Sequence, residues 1–324
     1  MAKRIQLSRH GGPEVLEYVD FTPAAPGPRE VRVRNQAIGL NFIDIYYRNG
    51  LYPLNLPSGL GSEGAGVVEA VGSAVSEFQV GDRVAYCTGP QGSYAELHCL
   101  PADVLVPLPD GVSCEQAAAV TLKGLTVQYL LRQIGQLEGG ETILFHAAAG
   151  GVGSLACQWA KALGVRLIGT VGSAEKAARA QALGAWATID YSREDVRARV
   201  LELTDGAKCP VVYDSVGKDT WEISLDCVAK RGLMVSFGNA SGPVTGVNLG
   251  ILAQKGSLFL TRPTLAGYAD TPERLRTMAA ELYALVADGT LQVEIGQRHT
   301  LADAGAAQAA QAARQTTGST ILLP

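Results

Sequence analysis

Six short apolar runs alternate with stretches of helical pattern between residues 142 and 263. Strands that are apolar along their whole length are buried on both faces, and the intervening helices supply the cover. The alternation therefore predicts a parallel sheet with helices on both sides. The runs are TILFHA (142–147), RLIGTVG (166–172), ATIDY (187–191), PVVYDSVG (210–217), GLMVSFG (232–238) and SLFLTRP (257–263).

The first 120 residues have a different pattern. Apolar and polar residues alternate at 31–34, and short apolar runs at 66–72 and 82–86 are flanked by glycine. Proline and glycine are frequent between them, as in PAAPGP (23–28). This pattern is typical of an antiparallel, barrel-like domain with long loops.

The C-terminal residues return to that first domain. An amphipathic helix is predicted over 270–289, with Thr271 as its cap, and an Ala/Gln-rich helix over 303–313. Residues 291–297 (LQVEIGQ) have the pattern of a strand. The expected boundaries are 1–123 plus 265–324 for the β-rich domain and 124–264 for the inserted parallel-sheet domain.

Charge and cysteine content narrow the classes of function. The net charge is −4, and no run of lysine and arginine exceeds two residues, which argues against nucleic acid and anionic membrane surfaces as partners. The N-terminus has no apolar signal core, and the long uncharged segments 142–160 and 232–254 are broken by glycines, so no membrane span is expected. Six cysteines without a C-x-x-C pair indicate reduced thiols and a cytoplasmic location.

The turn HAAAGGVG (146–153) joins the first apolar run to a helical stretch. It resembles the dinucleotide fingerprint Gly-x-Gly-x-x-Gly, with Ala147 in place of the first glycine. Gly150 would let the backbone approach a pyrophosphate, and Gly153 would let the helix pack closely on the strand. Its position after the first of six strands favours a dinucleotide site over a purely structural turn.

The end of the second strand distinguishes NAD from NADP. An acidic residue there binds the ribose 2′-hydroxyl of NAD, but this strand ends in Gly172 and Ser173. Lys176 follows within the next helical turn and can pair with a 2′-phosphate. We therefore expect NADP, the alternative being that Lys176 is simply a solvated helix residue.

No metal site is expected. The four histidines, at positions 10, 98, 146 and 299, are scattered, and zinc requires a close set of Cys, His or carboxylate ligands. His146 ends an apolar strand and is interpreted as a core histidine with satisfied hydrogen bonds.

The chain resembles the medium-chain dehydrogenase/reductase superfamily along its whole length, and within it the zinc-free, zeta-crystallin-like NADPH:quinone oxidoreductase branch. The resemblance rests on GGPEVL (11–16), NFIDIYYRNGLYP (41–53), GSEGAGVV (61–68), AAAVTLKGLTV (117–127), HAAAGGVG (146–153), VVYDSVG (211–217) and MVSFGNASG (234–242). It implies an α/β fold, with a Rossmann doubly wound parallel sheet inserted in a β-rich, GroES-like domain. Zinc-dependent relatives carry a Cys near the position of Asn41 and a His at that of Ser62, so both ligands are missing here.

The resemblance also implies an enzyme that transfers hydride from NADPH to a quinone in an inter-domain cleft, without zinc, and a homodimer. The positions that it assigns to the cofactor are Asn41, Tyr46, Lys123, Thr126, Tyr129, Gly150, Gly151, Val152, Gly153, Gly172, Ser173, Lys176, Tyr191, Ser215, Val216, Phe237, Gly238 and Arg314. Arg314 could equally be an exposed residue at a helix end.

Tyr46 and Tyr52 are the candidate catalytic hydroxyls, since they lie in the loop expected to face the substrate. The alternatives are that they form a packing surface and that quinone reduction needs no protein acid. Two other functions share much of this pattern: NADPH-dependent reduction of α,β-unsaturated carbonyls, and nucleotide sensing with RNA binding. The negative charge and the lack of a basic stripe weigh against RNA.

Overall fold

A long central strand organises the β-rich part of the chain in the computed structural model, which describes residues 1–324. This strand, β3, pairs antiparallel with β5 and with β7, and its alternate residues Val31 and Val33 are buried in a core with Val68 and Leu100. The elements are β1 (Ala2–Leu7), β2 (Leu16–Phe21), β3 (Glu30–Leu40), α1 (Phe42–Arg48), β4 (Ser58–Gly59), β5 (Glu63–Val71), β6 (Arg83–Tyr86), β7 (Leu97–Pro101), β8 (Val106–Pro107) and α2 (Cys114–Gln128).

The six predicted apolar strands form one parallel sheet, in the order β11, β10, β9, β12, β13, β14. The chain starts at the centre, runs to one edge, returns and runs to the other, which is the doubly wound order. The expected fold class is confirmed. Its elements are β9 (Thr142–Phe145), α3 (Gly151–Ala162), β10 (Arg166–Val171), α4 (Ala174–Ala182), β11 (Ala187–Asp190), α5 (Val196–Leu203), β12 (Cys209–Asp214), α6 (Trp221–Cys227), β13 (Val228–Ser236), α7 (Gly250–Gln254) and β14 (Phe259–Thr261).

The C-terminal residues rejoin the sheet of β3. The elements are α8 (Pro272–Ala287), β15 (Ile295–Thr300), α9 (Ala304–Ala312) and β16 (Ser319–Leu323). Strand β16 pairs antiparallel with β3, and β15 pairs parallel with β16. The Thr271 hydroxyl caps α8 by accepting the Arg274 amide at 3.2 Å, as its position before Pro272 predicts.

Several element boundaries differ from the sequence prediction, among them the start of β13 at Val228 in place of Gly232. The strand expected over 291–297 begins only at Ile295, because the Leu291 amide instead closes the end of α8 on the Leu285 carbonyl at 2.8 Å. The last strand of the parallel sheet is limited to three residues, Phe259–Thr261.

By their internal contacts the residues divide into two compact units. One consists of Met1–Leu125 with Tyr268–Pro324, and the other of Thr126–Gly267. No helix combines the length and the apolar character needed to cross a bilayer.

Candidate active site

The Gly-rich turn after β9 is built to hold an anion on backbone amides. Ala147 has φ +57°, a left-handed conformation that costs an alanine about 1 kcal/mol. The Ser154 amide makes the first helical bond of α3, to the Gly150 carbonyl at 2.8 Å, so the three preceding amides project from the helix N-terminus. A Cβ on Gly153 would lie 2.3 Å from the Ala147 carbonyl oxygen, so only glycine fits there. The turn therefore fits a pyrophosphate.

His146 lies at the start of this turn and is 2 % exposed. Its Nδ1 lies 2.9 Å from the Thr170 hydroxyl and its Nε2 lies 3.0 Å from the Ser224 hydroxyl. Burial lowers the pKa of His146, so the ring is neutral. These partners confirm the interpretation of His146 as a satisfied core histidine.

The hydroxyl of Ser224 fixes the tautomer of that ring. It donates its proton to Asp214 Oδ2 at 2.7 Å, so it must accept from His146. The proton of the neutral ring is therefore on Nε2, and Nδ1 accepts from the Thr170 hydroxyl. Thr170, His146 and Ser224 thus each donate a hydrogen bond to the next group, and together they join β10 to Asp214 at the end of β12.

Asp214 holds the loop that follows β12. Its Oδ1 accepts the amides of Val216 at 2.7 Å and Gly217 at 3.0 Å, and its carbonyl accepts the Phe237 amide at 2.8 Å. The loops after β12 and β13 also pack closely, since a Cβ on Gly238 would lie 2.3 Å from the Ser215 carbonyl oxygen. The predicted residues Ser215, Val216, Phe237 and Gly238 are therefore brought together at the carboxyl ends of two neighbouring strands.

The predicted 2′-phosphate residues also meet. Ser173 caps α4 and accepts the Lys176 amide at 3.3 Å. A Cβ on Gly172 would lie 2.6 Å from the Tyr191 hydroxyl, which places the tyrosine, 51 % exposed, beside Gly172. Two acidic residues lie in this region: Glu175 is in the first turn of α4, and Asp190, at the end of β11, accepts a hydrogen bond from the Ser192 hydroxyl at 2.6 Å.

A buried carboxylate lies next to Asn41. Glu63 is fully buried, and its Oε2 accepts a hydrogen bond from the Asn41 side-chain amide at 2.7 Å. Its Oε1 accepts the Leu122 amide at 2.7 Å, and the Lys123 ammonium lies 3.6 Å from Oε2. Burial raises the pKa of Glu63, while the positive charge of Lys123 and these hydrogen bonds oppose the shift.

A second buried carboxylate, Asp44, lies on the other side of Asn41. It accepts hydrogen bonds from the Asn41 backbone amide at 2.9 Å, from the Tyr94 hydroxyl at 2.9 Å and from the Ser62 hydroxyl at 3.0 Å. Burial nevertheless raises the pKa of Asp44 to about 6. Both positions at which zinc-dependent relatives carry ligands, Asn41 and Ser62, are thus bonded to buried carboxylates.

The remaining predicted residues have these places. Tyr46 lies on α1, 9 % exposed, with its ring 5.4 Å from that of Tyr52 in an edge-on arrangement. Thr126 lies near the end of α2, and Tyr129 begins a π-helical turn that runs to Ile134. Arg314 is exposed in a left-handed turn after α9. No group of three or more His, Cys, Asp or Glu side chains is arranged to hold a metal ion.

Sequence reasoning missed four polar residues of these networks, and their signals differ in strength. Asp214 could have been found, since an acidic residue at the carboxyl end of a parallel strand is a common site feature. Asp44 and Glu63 carry no sequence signal of burial, since acidic residues are almost never fully buried. Ser224 lies in a helix far along the chain from His146 and gives no signal.

Models of two protein families match the chain. The alcohol dehydrogenase GroES-like domain matches residues 27–110, and the zinc-binding dehydrogenase family matches residues 151–282. The second description names zinc, but neither ligand position noted above carries a Cys or His.

Full-length relatives are similar from end to end. The chain is 73% identical to a quinone oxidoreductase of Pseudomonas aeruginosa and 56% identical to quinone oxidoreductase 1 of Escherichia coli, covering 100% of both chains in each comparison. It matches the crystal structure of Escherichia coli quinone oxidoreductase complexed with NADPH with a TM-score of 0.99 and 56% identity, over 100% of each chain. The protein belongs to the quinone oxidoreductase family of the medium-chain dehydrogenase/reductase superfamily.

Proposed function

We propose that this protein is an NADPH:quinone oxidoreductase that works without zinc. The observation that carries the proposal is the pairing of Asn41 with Glu63 at 2.7 Å, because it places an amide–carboxylate hydrogen bond where a zinc enzyme needs a thiolate. Full-length relatives named as quinone oxidoreductases support the choice of substrate.

The parallel-sheet unit is proposed to bind NADP. Bound NADPH supplies a hydride from its nicotinamide ring. Residues Gly150, Gly151, Val152 and Gly153 bind the pyrophosphate, and Gly172, Ser173 and Lys176 bind the 2′-phosphate beside Tyr191. The packed loops of Ser215, Val216, Phe237 and Gly238 shape the nicotinamide end. The amide cradle at the start of α3 and the lack of an acidic residue at Gly172 and Ser173, directly after β10, support this assignment.

The β-rich unit is proposed to supply the rest of the site. Asn41, Tyr46, Lys123 and Arg314 of this unit are proposed as cofactor residues, and Thr126 and Tyr129, at the start of the other unit, are proposed with them. Residues 1–123 with 265–324 form the catalytic domain in this proposal, and residues 124–264 form the NADP-binding domain.

The work of the protein in catalysis is to orient the reactants, exclude water and stabilise the oxygen that gains charge. Tyr46 and Tyr52 are proposed as the hydroxyls beside the substrate. Their edge-on packing at 5.4 Å holds the two rings against each other, which supports a shared role in shaping the quinone pocket.

The test is oxidation of NADPH by the purified full-length protein with a panel of quinones and enals. Quinone turnover well above enal turnover is expected. A preference for enals would favour the α,β-unsaturated carbonyl reductase instead. Tight RNA binding at low salt without NADPH turnover would overturn the enzyme proposal.

Two further properties belong to this proposal. A homodimer is supported by β14, the edge strand of the parallel sheet, where Phe259 is 65 % exposed and Leu260 is 37 % exposed. A cytoplasmic location is supported by six free cysteines, five of them buried.

A further inference from the structure

An asparagine followed by a glycine, Asn49–Gly50, lies exposed directly after α1. Of the asparagines, at positions 35, 41, 49, 55, 239 and 248, this one alone precedes a glycine. An asparagine loses its side-chain amide when the main-chain nitrogen of the next residue attacks its Cγ. Glycine allows the closest approach because it has no Cβ. The sequence therefore makes Asn49 the asparagine most open to this reaction.

The fold favours the glycine of this pair. Gly50 has φ +81°, in the left-handed region that favours glycine. A Cβ there would also lie 3.2 Å from Cγ of the His10 ring, closer than ordinary van der Waals contact. The ring is held in this place, since its Nδ1 donates to the Tyr47 carbonyl at 3.1 Å. A larger residue, which would protect Asn49 from attack, is thus disfavoured by the turn.

Both reacting groups are available at the end of α1. The Gly50 nitrogen is held by one long hydrogen bond, 3.4 Å from the Tyr47 carbonyl oxygen. The Asn49 Oδ1 accepts the Leu51 amide at 3.0 Å. Attack at Cγ turns this oxygen into an oxyanion, and an amide already directed at it stabilises the charge. The helix can stay closed meanwhile, because the Asn49 amide, which does not react, donates to the Ile45 carbonyl at 2.9 Å.

We propose that Asn49 is a site of spontaneous deamidation in the folded protein. The Gly50 nitrogen forms a bond to Cγ of Asn49, and water carries its proton to Nδ2. The bond from Cγ to Nδ2 then breaks, ammonia leaves, and a cyclic succinimide remains. Water opens either of the two bonds from nitrogen to carbonyl carbon in this ring and gives isoaspartate or aspartate. Nothing is oxidised or reduced, and neither cofactor nor substrate takes part, so the proposal is independent of the proposed function.

Both products change the end of α1. Asn49 is the last residue of the helix, so an aspartate there places a negative charge where the helix dipole disfavours it. Isoaspartate also adds a methylene group to the main chain ahead of the Tyr52 amide, which donates to the Tyr46 carbonyl at 3.0 Å. This bond closes the loop after the helix, so the edge-on contact of the two tyrosine rings should loosen. We therefore expect a lower Tm for the modified protein.

Asn248 is a matched control within the same chain. It is exposed, and its Oδ1 accepts the amide two residues further on, that of Gly250, at 2.9 Å, but its direct neighbour is Leu249. The full-length wild type is incubated in mildly alkaline buffer, and its tryptic peptides are followed by mass spectrometry. Conversion at Asn49 should be about tenfold faster than at Asn248, or more. A rate at Asn49 no higher than that at Asn248 would overturn the proposal.

Two variants test the chemistry and its consequence. Gly50→Ala should slow the conversion of Asn49 about tenfold, because the added methyl group hinders the attacking nitrogen. Asn49→Ser removes the reacting amide, so its Tm should stay constant through the same incubation while that of the wild type falls. If Gly50→Ala does not fold, the comparison with Asn248 in the wild type still decides. Conversion of the wild type without any fall in Tm would contradict the expected loosening after α1.

Discussion

The Ser224 hydroxyl lies 3.0 Å from His146 Nε2 and accepts a hydrogen bond from its N–H, although 78 residues separate the two along the chain. Through Asp214 this contact ties helix α6 to the base of the Gly-rich turn and to the loop after β12. The Gly-rich turn is thus positioned by side chains that do not themselves belong to the fingerprint.

Substitution of Ser224 by alanine should therefore weaken NADPH binding as well as stability. It leaves the Nε2 proton of His146 buried without an acceptor and removes a donor to Asp214, which costs about 1–3 kcal/mol. We expect a lower Tm and a KM for NADPH raised more than kcat is lowered. The control is Ser8→Ala, which removes an exposed hydrogen bond to Glu17 and should change neither quantity. An unchanged KM for NADPH in a folded Ser224→Ala variant would contradict the positioning role.

Asp44 should make stability depend on pH. Burial raises its pKa to about 6 from an ordinary value of 3.8, so the folded state binds the proton more tightly than the unfolded state. Burying the charged Asp44 carboxylate lowers the free energy of unfolding. This loss is absent below about pH 4 and complete above about pH 6, where it amounts to about 3 kcal/mol. Asp44→Asn should therefore gain stability relative to the wild type as the pH rises from 4 to 7.

Urea unfolding of both proteins at several pH values measures this difference. The groups around Asp44 are Tyr94, Ser62 and Glu63. The control is Asp110→Asn, which removes an exposed carboxyl group. A constant difference for Asp44→Asn would show that its folded-state pKa is not raised.

Reversing the charge of Lys176 should lower the preference for NADPH. Lys176 is the first cation after the strand that ends at Val171, and Ser173 fixes its backbone at the helix start. Lys176→Glu replaces attraction to a 2′-phosphate by repulsion, so the KM for NADPH should rise about tenfold or more while that for NADH changes little. The same charge change at exposed Lys161 is the control. A parent enzyme that already prefers NADH, with NADPH kinetics unaffected by the substitution, would refute the assignment.

Removal of the Tyr52 hydroxyl tests for a protein acid. Quinone reduction yields an oxygen that water can protonate, so Tyr52→Phe should keep turnover with 1,4-benzoquinone within about threefold if the ring acts by packing. Tyr46→Phe is the companion variant, since its ring packs against that of Tyr52. A fall of a hundredfold or more in kcat for either variant, with KM unchanged, would instead assign a proton transfer to that hydroxyl.

The edge strand of the parallel sheet gives a prediction for assembly. Phe259→Lys places a charge on the exposed edge of β14, where a second copy of the chain is proposed to pair. The wild type should elute at twice the monomer mass in light-scattering chromatography, and the variant should shift towards the monomer. Tyr18→Lys, at another exposed aromatic residue, is the control. If the wild type elutes at the mass of a monomer, the proposed homodimer is wrong.

The parallel sheet was predictable because its strands carry their signal within the chain. Each is buried on both faces, so it is apolar along its whole length, and the turn after the first strand has the shape of a known ligand site. The end of α8 was less predictable. Leu291 is buried beside the end of the helix, and its apolar side chain has the pattern expected at the start of a strand.

The polar networks could not be predicted for a different reason. Thr170, His146 and Ser224 lie on separate elements, and only the order of the strands brings them together. The roles of Asn41 and Glu63 likewise depend on β5 lying beside β3. Residue types can be read from a sequence, but pairings between distant residues follow from the topology.

The amides that project from the start of α3 belong to the main chain, so every amino acid except proline would present them. A scan that replaces one side chain at a time by alanine would therefore pass over the anion cradle and report it as unimportant. It would detect the cradle only where the shape of glycine is required, at Gly153, where an added Cβ meets the Ala147 carbonyl oxygen. A position in this turn that tolerates substitution can therefore still contribute to anion binding, because the contribution comes from its backbone amide.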